Sequence, residues 1–234
     1  FRRVLFRSCI LSAINVGPLK SLKELEEYCD ILVRKLDELI DIQDYPVKAA
    51  ELSARKYRPL GIGITGLAHY LARNSVNYED PEAVNIVHRL AESLQYYLLK
   101  ASNQLAREKG PCEGFSETKY ADGILPIDTY KKSVDEICNE PLHHDWESLR
   151  ADIVKYGLRN TTLTAAMPCE SSSVSVNTTN GIEPPRGFMS VKRKLKQIVP
   201  QYTKLKNNYT LLWDMKSNEG YFNIVAVIQK FFDQ

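Results

Sequence analysis

Short apolar segments alternate with long amphipathic ones along this chain of 234 residues. The stretches CILSAINV (9–16) and LGIGI (60–64) have the length and composition of buried strands. Elsewhere, apolar side chains recur every three or four residues, which is the spacing of a helix with one buried face. A chain that alternates such strands and helices is expected to fold as an α/β domain.

Several of the predicted helices have recognisable ends. Ser21 and Glu24 form a capping-box pattern before the first, and Pro81 occupies the first position of another, which Gly110 ends. Cys29 lies on the apolar stripe of the first helix and is expected to be a packed core thiol. The remaining predicted elements are helices at 48–56, 146–156, 202–213 and 220–232, a strand at 161–167 and a hairpin at 188–199.

Composition and charge exclude several classes of protein. The net charge is only +2, so neither nucleic acid nor an anionic membrane is expected as the main partner. No apolar run approaches the ~20 residues of a membrane span, and the N-terminus lacks the apolar region of a secretion signal. Five scattered cysteines, with no C-x-x-C, suit a reducing compartment. We therefore expect a cytoplasmic protein.

Gly61, Gly63 and Gly66 spell G-x-G-x-x-G, a pattern found in dinucleotide-binding sites. Here the glycines lie within the apolar run rather than after a strand, and no acidic residue in a strand context follows about 20 residues later. Close packing of backbone against backbone is the better interpretation.

The four histidines give no metal-binding pattern. His143 and His144 are adjacent, so they point to different sides of a helix or strand, and no second cluster of ligands accompanies them. We expect both to be surface residues. His69 and His88 fall on predicted helices and are expected to be ordinary helix-face residues.

The stretch MPCESSS (167–173) follows the predicted strand at 161–167 and is dense in small polar residues. If it opens a helix, its first amides lack intrahelical acceptors and lie at the positive end of the helix dipole. A phosphate can bind there, with hydroxyl donors from Ser171, Ser172 and Ser173. Glu170 is unfavourable, because a carboxylate repels phosphate. The residues alone favour the alternative of a serine that merely caps the helix.

A longer match distinguishes these alternatives. The stretch AMPCESSSVSVNTTNGIEPPRG resembles the phosphate-binding loop and following turn of the large, catalytic subunit of class I ribonucleotide reductases. Further segments resemble the same family in the same chain order: RPLGIGITGLAHYLA, SLQYYLLKASNQLA, GILPIDTYKK, EPLHHDWESLR, YGLRNTTLTAAMP and LLWDM with GYFNIVAVIQKFFDQ. The resemblance covers residues 9–234, and residues 1–8 are expected to be a non-native tail.

The resemblance implies a fold and a substrate site. The family fold is a ten-stranded α/β barrel made of two antiparallel halves of five strands, of which this chain would form a helix-rich, incomplete part. By position, Pro168, Cys169, Glu170, Ser171 and Ser172 match the family residues that hold the substrate diphosphate. Cys169 is expected to fill space there rather than to be redox-active.

The resemblance also implies thiyl-radical chemistry that removes the 2′-hydroxyl of a ribonucleotide. Cys9 matches one cysteine of the family's redox pair, whose partner is not in this sequence. The Asn-x-Cys-x-Glu pattern of the radical loop is also absent from it, so we expect a fragment that is inactive alone. No metal or cofactor is expected to bind this segment, since a metal-containing small subunit supplies the radical and ATP or dNTP effectors bind elsewhere. Thioredoxin or glutaredoxin would act as reductant, and the complete subunit would be a homodimer.

Two other hypotheses are weighed against the reductase. The chain can be a nucleotide- or phosphopeptide-binding α/β module that uses the same helix terminus without redox chemistry. It can also be a helical interaction protein in which the loop only caps a helix.

Overall fold

The computed structural model describes residues 10–192, 197–200 and 205–233. The strands there are β1 (Ile10–Asn15), β2 (Leu60–Thr65), β3 (Met189–Lys192) and β4 (Gln197–Pro200). The α-helices there are α1 (Glu24–Ile42), α2 (Lys48–Tyr57), α3 (Leu67–Arg73), α4 (Pro81–Lys109), α5 (Pro126–Thr129), α6 (Trp146–Tyr156), α7 (Glu170–Ser175) and α8 (Glu219–Gln229). Short 3₁₀ turns occupy Phe115–Glu117, Lys119–Asp122, Lys132–Glu136, Lys206–Asn208 and Leu212–Asp214.

Strands β1 and β2 are parallel, with β2 buried at the centre of the fold and β1 mostly half-buried beside it. Their register runs from Ile10 opposite Leu60 to Asn15 opposite Thr65. Every residue of β2 is buried, as expected for a parallel strand that is covered on both faces. The predicted α/β class is therefore confirmed, with helices that outweigh a small sheet.

The stretch 161–167 was predicted to be a strand, but only part of it has strand pairing. It lies beside β2 and forms a single parallel bridge, between Ile62 and Thr164. The Ile62 N–H donates to the Leu163 carbonyl at 2.7 Å, and the Ala165 N–H donates to the Ile62 carbonyl at 3.2 Å. Regular strand geometry does not extend beyond this bridge, and the other edge of the stretch pairs with no strand within the described ranges.

The glycines of β2 make this close approach possible. A Cβ on Gly63 would collide with the carbonyl oxygen of Ala165, and one on Gly61 would lie 2.5 Å from Cδ2 of Leu11. Gly66 begins α3 with φ +84°, a conformation that other residues rarely adopt. The predicted role of these glycines in close packing is confirmed.

Helix α4 is the long central helix, and α1, α6 and α8 pack against it. The apolar stripes that predicted these helices are buried, and Cys29 of α1 is fully buried against α4, as expected. Helix α1 begins two residues later than the predicted Ser21 N-cap, with Lys23 at the capping position, although Glu24 does reach back to accept the N–H of Ser21 at 2.9 Å. The sequence thus located the main helices because their buried faces are long and regular.

The predictions for the C-terminal part of the chain and for its first residues have different outcomes. The predicted helix at 202–213 is wrong in its described part, where two 3₁₀ turns replace it. Helix α8 confirms the prediction at 220–232, and antiparallel β3 and β4 confirm the hairpin. The predicted tail at 1–8 lies outside the described residues, as does the hairpin turn at 193–196. In the described ranges, no helix combines the length and apolar character needed to cross a bilayer.

Candidate functional site

The polar stretch at 167–173 lies where the segment beside β2 ends, and Cys169 anchors it. Cys169 is 1% exposed, and its thiol faces the carbonyls of Ile64 at 3.8 Å and Met167 at 3.5 Å. Its backbone N–H donates to Oδ1 of Asn180 at 3.1 Å. Burial raises the pKa of the Cys169 thiol, which keeps it protonated and unreactive. The polar atoms of Cys169 therefore serve the fold.

Helix α7 begins directly after Cys169, whose side chain makes no capping hydrogen bond. Ser171 and Ser172 lie inside the first turn of α7, so the alternative of a serine N-cap is wrong. The Ser172 hydroxyl donates to the Cys169 carbonyl at 3.2 Å, whereas the Ser171 hydroxyl has no protein partner among the described residues. Pro168, Glu170, Ser171 and Ser172 are all exposed residues, and the first amides of the helix have no intrahelical acceptor.

The residues after α7 return the chain to the end of β2. Asn177 has φ +50°, and the N–H of Thr178 donates to the Ser173 carbonyl at 2.9 Å, which closes the helix. The Thr179 carbonyl accepts the Gly66 N–H at 2.9 Å and the Thr65 hydroxyl at 2.7 Å. Both ends of the loop are thus held at the carboxyl end of β2, which is the side where open parallel sheets bind ligands.

Asn180 is a site residue whose role the sequence did not reveal. Its side chain accepts from Cys169 and donates to Oε2 of Glu183 at 3.2 Å. The Asn180-Gly181 pair predicted only a turn. The side-chain contact depends on a neighbour eleven residues away, which a local turn signal does not identify.

Comparison with known proteins adds to this geometry. Residues 5–207 match the family model described as ribonucleotide reductase, barrel domain. The chain belongs to the ribonucleotide reductase barrel family. This confirms the resemblance on which the fold was predicted, and the described strands and helices are consistent with an incomplete part of that barrel.

Individual relatives are alpha subunits of ribonucleoside-diphosphate reductases. The ribonucleoside-diphosphate reductase subunit alpha of Haemophilus influenzae is 58% identical over 230 residues, which are 97% of this chain and 30% of that protein. Subunit alpha of reductase 1 from Escherichia coli is 55% identical over 199 residues, 83% of this chain and 26% of that protein. The subunit alpha of phage T4 is 45% identical over 217 residues, 90% of this chain and 28% of that protein. The chain thus spans about 30% of the length of the first of these relatives.

The predicted redox residue Cys9 lies outside the described residues, and β1 begins at the next position. The other cysteines, Cys29, Cys112, Cys138 and Cys169, are buried and free. Burial raises the pKa of Cys112 to about 11 and also raises the pKa of the other three thiols. These four side chains therefore resemble structural thiols rather than reactive ones.

The histidine predictions are corrected in part. His143 is exposed as expected, whereas His144 is half-buried, stacks on Tyr96 at 4.3 Å and bonds the Ser93 hydroxyl at 2.9 Å. His88 is fully buried rather than a helix-face residue, because α8 covers that side of α4.

His69 is half-buried and contacts the Tyr209 hydroxyl. Within the described ranges, no three His, Cys, Asp or Glu side chains cluster as a metal site.

Proposed function

We propose that this chain contributes the substrate-phosphate site and one reducing thiol to the large subunit of a ribonucleoside-diphosphate reductase. The observation that carries the proposal is the exposed first turn of α7 at the carboxyl end of β2, in a chain of this family. Within the predicted segment of Pro168, Cys169, Glu170, Ser171 and Ser172, the exposed first turn of α7 receives the diphosphate, and buried Cys169 holds that turn in place. The relatives are named for ribonucleoside diphosphates, which supports a diphosphate substrate.

The chemistry of the loop supports this assignment. The amides of Ser171 and Ser172 open a helix, and each serine adds a hydroxyl donor to groups that suit a phosphate oxygen. The Ser172 hydroxyl must turn away from the Cys169 carbonyl to donate to a ligand. The Glu170 carboxylate must point away from the phosphate, because like charges repel. Cys169 holds the loop in place through its backbone N–H, which bonds Asn180, and its buried thiol, which faces the Ile64 carbonyl.

The reductive half of the reaction is assigned to Cys9. Replacing the 2′-hydroxyl by hydrogen with release of water requires two electrons and two protons. Two thiols supply them when they close to one disulfide. Cys9 is one thiol, and the second comes from outside the present 234 residues. The radical that starts the reaction comes from a separate metal-containing small subunit, and thioredoxin or glutaredoxin returns the disulfide to thiols. The complete subunit is expected to form a homodimer.

Substitution of the two serines tests the phosphate site. In the full-length subunit with its small subunit and reductant, Ser171→Ala combined with Ser172→Ala should raise KM for a ribonucleoside diphosphate. Each lost bond to a charged phosphate corresponds to about tenfold to a hundredfold. Ser175→Ala is the matched control, because its hydroxyl donates to the Ser171 carbonyl at 3.4 Å on the same helix. An unchanged KM in the double variant would reject the phosphate site.

Cys9→Ser separates the reductase from a binding module without redox chemistry. In the full-length subunit, a reductase should lose turnover with dithiol reductant while it keeps its affinity for the substrate. Turnover that persists unchanged would remove Cys9 from the mechanism and leave only the binding role.

A further inference from the structure

We propose that Asp233 is a positioning residue for the phosphate loop and acts through Leu163 and Thr164; the inference rests on the proposed function. Asp233 follows α8, and Thr164 lies four residues before Pro168. The two sites are about 70 residues apart in sequence, yet the carboxylate of Asp233 contacts the backbone that leads into the loop.

The contact is reciprocal. Oδ2 of Asp233 accepts the Leu163 N–H at 2.8 Å and the Thr164 N–H at 3.1 Å. The Thr164 hydroxyl lies 3.4 Å from the same oxygen, and the Asp233 N–H donates to the Thr164 hydroxyl oxygen at 2.8 Å. Hydrogen bonds to an ionised carboxylate are among the stronger ones in proteins. Asp233 therefore fixes the position and the direction of the backbone at Leu163 and Thr164.

The position of Asp233 explains why the segment needs it. One edge of the segment at 162–165 bonds to β2, through Ile62. Its other edge carries amide donors, and Thr164 is fully buried. A buried amide without an acceptor is unfavourable. The Asp233 carboxylate supplies the acceptor that a neighbouring strand would otherwise provide.

The second oxygen of the carboxylate is held as well. Oδ1 accepts a hydrogen bond from the Tyr120 hydroxyl and lies 3.4 Å from Nε2 of Gln95 in α4. Burial raises the pKa of Tyr120 well above its usual value, so the hydroxyl stays a donor. Both oxygens of Asp233 thus have assigned partners, and its orientation is fixed.

Helix α8 brings Asp233 to this place. Phe231, which is fully buried, packs edge-on against the ring of His88 in α4, with ring centres 4.9 Å apart. Ile228 in the last turn of α8 is also buried. This packing leaves little freedom for the residue two positions later. A displacement of α8 therefore reaches the loop through Asp233 and Thr164.

Asp233→Asn in the full-length subunit tests the proposal. Asparagine has the same shape but is neutral and has one acceptor oxygen. If that oxygen accepts the backbone amides, its NH2 group faces Tyr120, whose hydroxyl must then accept instead of donate, so the charge-assisted bonds of the carboxylate are lost. KM for a ribonucleoside diphosphate should rise about threefold to tenfold, the equivalent of one ordinary hydrogen bond, with kcat within about twofold. Asp214→Asn is the matched control, because Asp214 is exposed on the neighbouring 3₁₀ turn. It should leave KM unchanged.

Combination with Ser171→Ala distinguishes a positioning role from general loss of structure. If Asp233 acts through the loop, the KM effects of Asp233→Asn and Ser171→Ala combine to less than their product. A KM unchanged by Asp233→Asn, or effects that multiply in full, would overturn the positioning role while the phosphate site stands. A KM that does not respond to Ser171→Ala would overturn both.

Thr164→Val provides a second variant should Asp233→Asn not fold. It keeps the shape and the backbone bonds but removes the acceptor for the Asp233 N–H. KM should rise about twofold, again less than multiplicatively with Ser171→Ala. An unchanged KM in a folded Thr164→Val subunit would overturn the proposal.

Discussion

The two ends of β2 hold their polar groups in different ways. At its start, Arg58 donates through Nε to Asp37 at 2.5 Å, Arg159 donates through Nε to Asp37 at 3.2 Å, and Asn160 donates to Asp37 at 3.2 Å. Asp37 is fully buried. At the carboxyl end of β2, the polar stretch at 167–173 carries hydroxyl and amide groups and one exposed acid, Glu170.

This difference separates stability from binding. The Asp37 carboxylate has donors for both oxygens, and Arg58, whose φ of +44° is unusual, is held by those bonds. Such a network has little capacity left for a ligand. At the loop end, the Ser171 hydroxyl is exposed, and the buried Thr178 hydroxyl has no partner among the described residues. At the start of β2, the polar groups are occupied by hydrogen bonds that hold the fold. At its carboxyl end, hydroxyl groups can still form hydrogen bonds to a ligand.

The largest effect is expected from Asp37→Ala. This substitution leaves two guanidinium groups near a buried site that has lost its acceptor. Breaking a buried ion pair from one side usually lowers the free energy of unfolding by about 3–5 kcal/mol. Urea unfolding of the chain measures this loss.

Asp30→Ala is the matched control for Asp37→Ala. Asp30 pairs with Arg34 on the same helix at 2.9 Å, but both side chains are partly exposed. An exposed pair of this kind is expected to contribute about 0.5 kcal/mol. Equal losses for the two variants would show that burial does not account for the contribution of the Asp37 network at the start of β2.

The next largest loss of stability is expected from Gly63→Ala. A methyl group there would collide with the Ala165 carbonyl and displace the segment that leads to the loop. The free energy of unfolding should fall by about 1–3 kcal/mol, measured by urea unfolding. Gly187→Ala is the control, because a Cβ there would lie 3.6 Å from the nearest atom, the Met189 carbonyl oxygen. Similar losses in both would remove the close approach as the cause.

The sequence predicted the parts of the fold that depend on regular patterns. The long helices follow from apolar stripes, and the glycines of β2 were correctly interpreted as close contacts. The stretch 161–167 was overpredicted as a strand because its composition is typical of one. Its outer amides instead bond to Asp233, about 70 residues away, and no local pattern indicates that partner.

The loop shows the same limit. Its serines suggested a phosphate site or a helix cap, and only the family resemblance favoured the first. The structure excludes the serine cap because Cys169, not a serine, precedes the helix. His88 was misassigned because its helix is buried on more than one side, and α8 supplies the second cover. Burial by a distant helix is a tertiary property that local spacing does not encode.

The smallest effect is expected from Asp41→Asn at the charged end of β2. Hydrogen bonds from Arg58, at 2.9 and 2.8 Å, lower the pKa of Asp41. Because the pKa is lower in the folded chain, the ionised carboxylate stabilises the fold above the unfolded pKa of about 3.9. That contribution is lost as the pH falls through the folded value. Asp41 is 47% exposed, so solvent screening limits it to about 1 kcal/mol.

Urea unfolding of wild-type and Asp41→Asn chains between about pH 3 and pH 7 tests this sign. The stability difference should be constant near neutral pH and shrink on acidification, because a protonated aspartic acid and an asparagine are both neutral and similar in shape. Asp44→Asn is the control, since Asp44 is exposed and forms no ion pair among the described residues. A difference that stays constant down to the lowest pH would mean that the charge of Asp41 contributes nothing to the stability of this end of β2.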